Sequence, residues 1–258
     1  MIILGISSYY HDSAASLLVN GEIIAAVQEE RFSRIKGDRS FPRYAIAYCL
    51  DQAEIKISDV DYISFYEIPE LSFKRLFNNL EFRIWDILKI SKNLKFWGSE
   101  RLKFEKFFKK IYPNFNGKFF FSKHHYSHAS SAFYPSGFNK AAILTIDGVG
   151  ENVTATISKG IDNKIHTLKK LLYPDSVGLL YSTITTFLGF KANSGEYKVM
   201  GLAPYGNPEK YKNIFKEKLV FINNDGSINL NLEYFDFSNS RRMYKPALEK
   251  VFNVKSRK

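Results

Sequence analysis

The chain opens with three apolar runs of strand length, Ile2 to Ser8, Ala14 to Val19 and Glu22 to Gln28. Asn20-Gly21 stands between the second and third with no other residue separating them. A connection that short demands positive φ at both positions, which asparagine and glycine tolerate, so the pair predicts a tight hairpin. Pro42 opens a predicted helix running to about Gln52, with Tyr44, Ile46, Ala47 and Leu50 at helical spacing. Val60 to Tyr66 reads as a fourth strand.

From Leu71 to Tyr112 the period changes. Leu76, Leu80, Ile84, Ile87 and Leu88 recur at three- and four-residue steps, and Phe104, Phe107, Phe108 and Ile111 repeat the pattern. Two or three amphipathic helices inserted between strands follow from it. Phe119 to Phe121 predicts a short buried strand, followed by a helix from about Tyr126 to Phe133.

The pattern then starts again. Ala141 to Asp147, Val153 to Ser158 and Ile165 to Leu172 predict three strands, with a turn at Asp162-Asn163 and an apolar helix over Val177 to Leu188. A further helix is expected from Pro208 to about Lys218 behind an Asn207 cap, and Asp225-Gly226 predicts another hairpin turn. Strands with a hairpin and then helices, occurring twice, predict an α/β chain of two related lobes. The expected division is a first lobe over 1–138, with a helical insertion at about 70–113, and a second lobe over 139–258. The second lobe has fewer strands than the first, and nothing in its last residues, VFNVKSRK, signals an ending, so it is expected to be incomplete.

Composition narrows the class. Of 258 residues 45% are hydrophobic and 24% charged, which excludes a disordered or collagen-like chain. The single cysteine, Cys49, forbids an internal disulfide and fits a reducing compartment. The first ten residues carry no basic start, and Pro174 and Asp175 break the most apolar later stretch, so neither a signal peptide nor a spanning helix is expected. These features together predict a cytoplasmic protein without a membrane segment. The net charge is +11, and thirteen basic against four acidic residues lie between Leu71 and Lys123. A field that uneven attracts phosphates, nucleotides or nucleic acid, or belongs to a solvated helical surface.

Four segments concentrate polar chemistry. In His124-His125-Tyr126-Ser127-His128, a helix would place His124 and His128 one turn apart on one face, the spacing at which two imidazoles share a metal. Surface or capping histidines would give the same pattern. Asp147 ends an apolar strand and enters Gly148-Val149-Gly150-Glu151, a carboxylate followed by glycines whose amides can approach an anion; an ordinary turn is the alternative. His11-Asp12-Ser13 opens the first hairpin in a similar way, and the two turns together could cradle one nucleotide. Ser194 to Gly206 brings Lys198 and Gly201 into a segment suited to a phosphate, or forms a glycine-punctuated turn. Glu29 to Lys36 alternates in charge, as a solvated edge would.

Five motifs in order, LGISSYYHDSAASL from residue 4, EERFSRIK at 29–36, HHYSHASSAFYPS at 124–136, ILTIDGVGE at 143–151 and EYKVMGLAPYG at 196–206, resemble the nodulation- and antibiotic-type O-carbamoyltransferases. The resemblance implies a two-lobed fold akin to the actin, sugar-kinase and heat-shock-chaperone ATPases, with ribonuclease-H-like lobes. It also implies transfer of a carbamoyl group from carbamoyl-adenylate, made from carbamoyl phosphate and ATP, to a hydroxyl of a sugar or antibiotic-like acceptor. On this resemblance His124, His128 and Asp147 hold a divalent metal, iron foremost, and His11, Asp12 and Lys36 contact the carbamoyl donor. Ser13, Gly148, Gly150, Glu151, Lys198 and Gly201 fall at the nucleotide.

The chain departs from the family pattern at Gly37, where a histidine is expected. The family's fourth metal ligand, an aspartate late in the second lobe, and its C-terminal carbamoyl-adenylate-forming domain have no counterpart before Lys258. The expected partners are therefore a small hydroxylated acceptor, the missing half or a complementing chain, and a possible second copy. A tRNA threonylcarbamoyl transferase-like protein, with Leu71 to Lys123 as its RNA face, and a non-catalytic fragment needing a partner chain are the alternatives. The long insertion and the EYKVMGLAPYG segment favour the small-molecule branch over nucleic acid.

Overall fold

The structure is a computed structural model, and it describes residues 1–78, 100–237 and 242–257. Two compact units divide it, Met1–Ser127 and His128–Lys258.

The first unit is built on strands β1 (Ile2–Ser7), β2 (Ala14–Val19), β3 (Glu22–Gln28), β4 (Tyr62–Phe65) and β5 (Lys118–Phe121), in the order β3-β2-β1-β4-β5. The first three form an antiparallel meander, while β4 runs parallel to β1 and β5 parallel to β4. That order and those directions define a ribonuclease-H-like lobe, the fold class expected from the motifs. Asn20 and Gly21 take φ of 53° and 91°, as the hairpin requires.

Helices α1 (Glu30–Ser33), α2 (Arg43–Gln52), α3 (Pro69–Asn78) and α4 (Phe104–Ile111) complete the unit. One face of the sheet, carrying Leu4, Ile6, Leu17, Ile63 and Phe65, is buried in one core with Ala45, Ile46 and Cys49 of α2 and Phe104 and Phe108 of α4. The Phe65 and Phe104 rings lie 4.2 Å apart between centroids. Burial pushes the Cys49 thiol up to about 11, so it sits in the core as a small hydrophobe. Glu29 is also buried, and its carboxylate accepts the backbone N–H groups of Tyr44 (3.1 Å) and Ala45 (2.8 Å). A helix start leaves such donors orphaned, and a carboxylate there also complements the helix dipole. The segment 29–36 is thus more than a solvated edge, because its first residue caps α2.

Both ends of the expected insertion are helical; Leu80, Ile84, Ile87 and Leu88 lie outside the described residues. A buried ion pair between Glu67 and Arg101, with Ser72 donating to the same carboxylate at 3.0 Å, ties the start of α3 to the segment before α4.

Helix α5 (His124–Phe133) runs through the boundary between the units, starting two residues before the expected Tyr126. The second unit repeats the meander as β6 (Lys140–Ile146), β7 (Val153–Ile161) and β8 (Lys164–Leu172), all antiparallel. It continues through α6 (Val177–Phe187), α7 (Glu196–Leu202), α8 (Glu209–Ile214), β9 (Val220–Ile222), β10 (Ile228–Leu230) and α9 (Pro246–Phe252). The helix expected from Pro208 to about Lys218 runs without a break over 209–219, its last turn wound more widely than the rest. Phe215–Leu219 forms a wider π turn, and Leu219 at its end is fully buried in a cluster with Phe187, Leu230 and Leu248. No helix among the described residues is long and apolar enough to cross a membrane.

Phe108 packs edge-on or tilted against Phe41, Phe104, Tyr112, Phe115 and Phe119 at 4.9–6.0 Å. Phe108→Ala is expected to lower stability by about 3–5 kcal/mol, measured by urea unfolding; a loss below ~1 kcal/mol would contradict this core.

Candidate functional site

Strand β6 alternates buried Ile143 and Thr145 with exposed Leu144 and Ile146, and Asp147 follows at its end. The Asp147 N–H donates to the carbonyl of Thr154 on β7 (2.9 Å), which extends the ladder by one rung. The buried Ser176 caps α6 by accepting the Leu179 N–H at 3.0 Å. Its own hydroxyl donates to the Gly148 carbonyl at 2.7 Å, with that of Asp147 3.1 Å away. The first turn of α6 therefore closes onto the 147–148 peptide. Gly178 makes that approach possible, because a Cβ there would lie 2.5 Å from the Asp147 oxygen and 2.6 Å from the Gly148 nitrogen. The Asp147 carboxylate accepts the Gly148 N–H at 2.6 Å through one oxygen, and the other stands 3.6 Å from Nε2 of His128.

Helix α5 buries His125, Ala129 and Phe133, a stripe at four-residue spacing. Ala129 and Phe133 pack with Ile143 of β6, the strand that ends in Asp147. His124 and His128 stand on the flank of that stripe, one turn apart on one continuous helix. Ligand atoms of His124, His128 and Asp147 all lie within 4.8 Å of one another. Bonds of about 2.0–2.2 Å place donors roughly 3–4 Å apart around one ion, so a slight contraction lets the three share one. Two imidazoles and a carboxylate are too nitrogen-rich for magnesium or calcium and suit ferrous iron or a neighbouring transition ion with open positions.

In the first unit the loop between β1 and β2 is held in an unusual backbone. Tyr9 and Asp12 have φ of 77° and 50°, and for a ring as bulky as Tyr9 such a value marks a constrained turn. Nδ1 of His11 lies 2.7 Å from an Asp12 oxygen. The backbone of residues 38–39 pairs with this loop, Tyr9 N–H to Arg39 O at 3.0 Å and Ser13 N–H to Asp38 O at 2.7 Å. Two motifs distant in sequence thus meet. The exposed Lys36 amine is 3.2 Å from the Glu30 carboxylate, which also accepts the Gly37 N–H at 2.8 Å; these two groups hold the Glu30 carboxyl below its usual range. Ser13 is fully buried, and among the described residues its hydroxyl has no hydrogen-bond partner.

The other face of the first sheet is lined by small residues. Strand register places Ala26, Ser16, Gly5 and Ser64 in one row and Ala14 beside Ser7 in the next. They floor an open groove of about 560 Å³ bounded by Gln28, Arg31, Tyr66 and Ser127. Its end at Ser7 and Ala14 adjoins the loop that carries His11.

The remaining expected residues fall differently. The Gly148 N–H is taken by Asp147 and that of Gly150 by the Val153 carbonyl at 2.9 Å, so both amides serve the turn itself. Glu151 is buried. Lys198 is exposed, its amine 5.8 Å from the Phe190 ring centre and 5.9 Å from that of Tyr197, and a Cβ at Gly201 would meet nothing within 4 Å among the described residues. Their helix is fixed by Glu196, which accepts Ser182 Oγ (2.7 Å) and the N–H groups of Asn193 and Gly195 (2.9 and 3.1 Å). Burial alone would raise the Glu196 carboxyl; the hydrogen bonds outweigh it and hold the carboxyl below its usual range. Ser176, Gly178 and Tyr66 were not singled out from the sequence. The first is readable as a serine preceding an apolar helix, whereas nothing local marks the other two.

A family model described as carbamoyltransferase N-terminus matches residues 2–258. The protein sll1178 of Synechocystis is 43% identical over 263 residues, covering 99% of this chain and 43% of its own length. Nodulation protein NolNO of Sinorhizobium fredii is 36% identical over 220 residues, covering 85% and 31% respectively. The chain spans less than half the length of the curated relatives it matches. Among solved structures, YeaZ from Pseudomonas aeruginosa overlaps 67% of this chain and 68% of its own with a TM-score of 0.37 and 12% identity. The strand order and directions of the first sheet define the fold on their own.

Gly178→Ala is expected to push the 147–148 peptide off α6, at a cost of about 1–3 kcal/mol in urea unfolding, since backbone atoms cannot yield as a side chain does. Wild-type stability in that variant would show that the turn is not held as described.

Proposed function

The chain belongs to the carbamoyltransferase family, whose N-terminal model it matches over residues 2–258, and on that premise we propose that it carries out O-carbamoyl transfer. The donor is carbamoyl-adenylate, formed from carbamoyl phosphate and ATP by a further domain or a complementing chain, and the acceptor is a hydroxyl of a small, polyhydroxylated molecule. His124, His128 and Asp147 hold a divalent metal in this reading, with iron the ion their donor set suits best. The observation that carries it is the convergence of those three ligand atoms within 4.8 Å. When bound, the metal supplies a fixed positive charge for the oxygens of donor and leaving group.

The chain's own residues do the rest. The acceptor oxygen attacks the carbamoyl carbon, the bond from that carbon to the adenylate phosphate oxygen breaks, and the acceptor proton leaves to a base. His11 is that base: Asp12, 2.7 Å from Nδ1, holds the Nδ1–H tautomer and leaves Nε2 free to take the proton. Lys36, tethered through Glu30 to the same loop cluster, supplies a cation for the departing phosphate. The groove beside His11 offers Ser7, Ser16 and Ser64 to acceptor hydroxyls and Arg31 at its margin. Products are the acceptor carbamate and AMP.

Anaerobic titration with ferrous ion tests the metal, and AMP release from carbamoyl-adenylate tests the chemistry. One equivalent of metal is expected to bind wild type, with affinity lowered by at least about tenfold in His128→Ala and Asp147→Asn. His11→Ala is expected to keep metal affinity and to slow AMP release by roughly 10²–10⁴. Metal affinity unchanged in both ligand variants would overturn the site.

A further inference from the structure

We propose that Tyr66 is a positioning residue that sets the His124 imidazole and the His11 loop in one geometry. The inference rests on the reading of His124 as a metal ligand. Tyr66 follows β4 directly, and its N–H continues the parallel ladder to Ile6 at 3.2 Å. From that place it reaches three elements with three different groups. Its hydroxyl donates to the Ser8 carbonyl at 3.3 Å. Its carbonyl accepts the Ser127 hydroxyl at 3.0 Å, on the first turn of α5. Its ring meets that of His124 edge to face, with centroids 5.6 Å apart and planes at 70°.

Each contact answers a physical need. A ligating imidazole must present one nitrogen, and its terminal torsion is broad, so a ring packed against it edge to face limits the rotation that would turn the nitrogen away. The Ser127 bond fixes the helix turn on which His124 sits. Ser8 precedes Tyr9, whose φ of 77° is a conformation that persists only when its surroundings hold it. Tyr66 is itself held firmly, since the adjoining Glu67 forms the buried pair with Arg101 and takes the Ser72 hydroxyl. One residue therefore links the helix of the metal ligands to the loop of the proposed base.

The two halves of the residue separate by substitution. Tyr66→Phe keeps the ring and loses the hydroxyl, whereas Tyr66→Leu loses both; the probe is cobaltous ion, whose visible spectrum reports ligand geometry. In Tyr66→Phe, Co(II) affinity and spectrum are expected to match wild type, while amide exchange at residues 9–12 quickens. In Tyr66→Leu, Co(II) affinity is expected to fall about tenfold, the size usual for outer-shell partners, with an altered visible spectrum and a urea transition that still shows a folded protein. Wild-type affinity and spectrum in a folded Tyr66→Leu would overturn the role of Tyr66 and leave the metal reading standing. Failure of wild type to take up Co(II) would overturn both. Should Tyr66→Leu not fold, Tyr66→Phe decides alone: unchanged exchange at 9–12 would overturn the proposal, and quickened exchange with intact Co(II) binding would support it.

Discussion

The packing of Phe133 and Ala129 against Ile143 is the contact on which the candidate site depends. Strand β6 carries Ile143 and, four residues later, Asp147 beyond its end; α5 carries Ala129 and, immediately before it, His128. Fixing the helix on the strand at one point therefore fixes the separation of imidazole and carboxylate. Gly160 on β7 leaves room for the fit, because a Cβ there would lie 2.4 Å from the Phe133 ring, which would have to shift. Interiors packed at crystal-like density do not absorb such a shift. The donor geometry is in this sense a property of the core.

The loop cluster of the first unit follows a complementary logic. The short segment Glu29 to Arg31 serves three ends at once. Glu29 turns inward to cap α2, Glu30 gathers Lys36 and the Gly37 amide, and Arg31 faces the groove. Backbone pairing between residues 38–39 and the β1–β2 loop then brings this segment to His11 and Asp12. A histidine paired with a carboxylate and a cation tethered nearby form an arrangement suited to moving a proton while charge builds on a leaving group. Gly37, with φ of 66°, occupies a left-handed position that a side chain would strain, and a Cβ there would come within 4.0 Å of an Asp12 oxygen.

How much was legible beforehand varied with the range of the interaction. Turn chemistry was decisive where it is local: Asn20-Gly21 can hardly do anything but the hairpin it forms, and the meander of the second unit follows the same alternation as the first. The parallel pairing of β4 onto β1, and of β5 onto β4, joins segments about 60 residues apart, and periodicity says nothing of it. The i, i+4 spacing of His124 and His128 was plain, yet whether a helix reached back to His124 depended on where α5 begins, which no capping residue announced. The π turn at Phe215–Leu219, which ends on the fully buried Leu219, is equally silent in the residue types. Tyr66 escaped notice because an aromatic at a strand end reads as core; its hydroxyl and carbonyl partners come from Ser8 and Ser127, both about 60 residues away.

X-ray absorption on the protein loaded with one equivalent of ferrous ion tests most directly the proposal that His124, His128 and Asp147 share one ion. A nitrogen and oxygen first shell is expected, with the outer-shell scattering of two imidazole rings that falls to one ring in His124→Ala. A shell of oxygens without imidazole scattering, or an unchanged ring count in that variant, would contradict it.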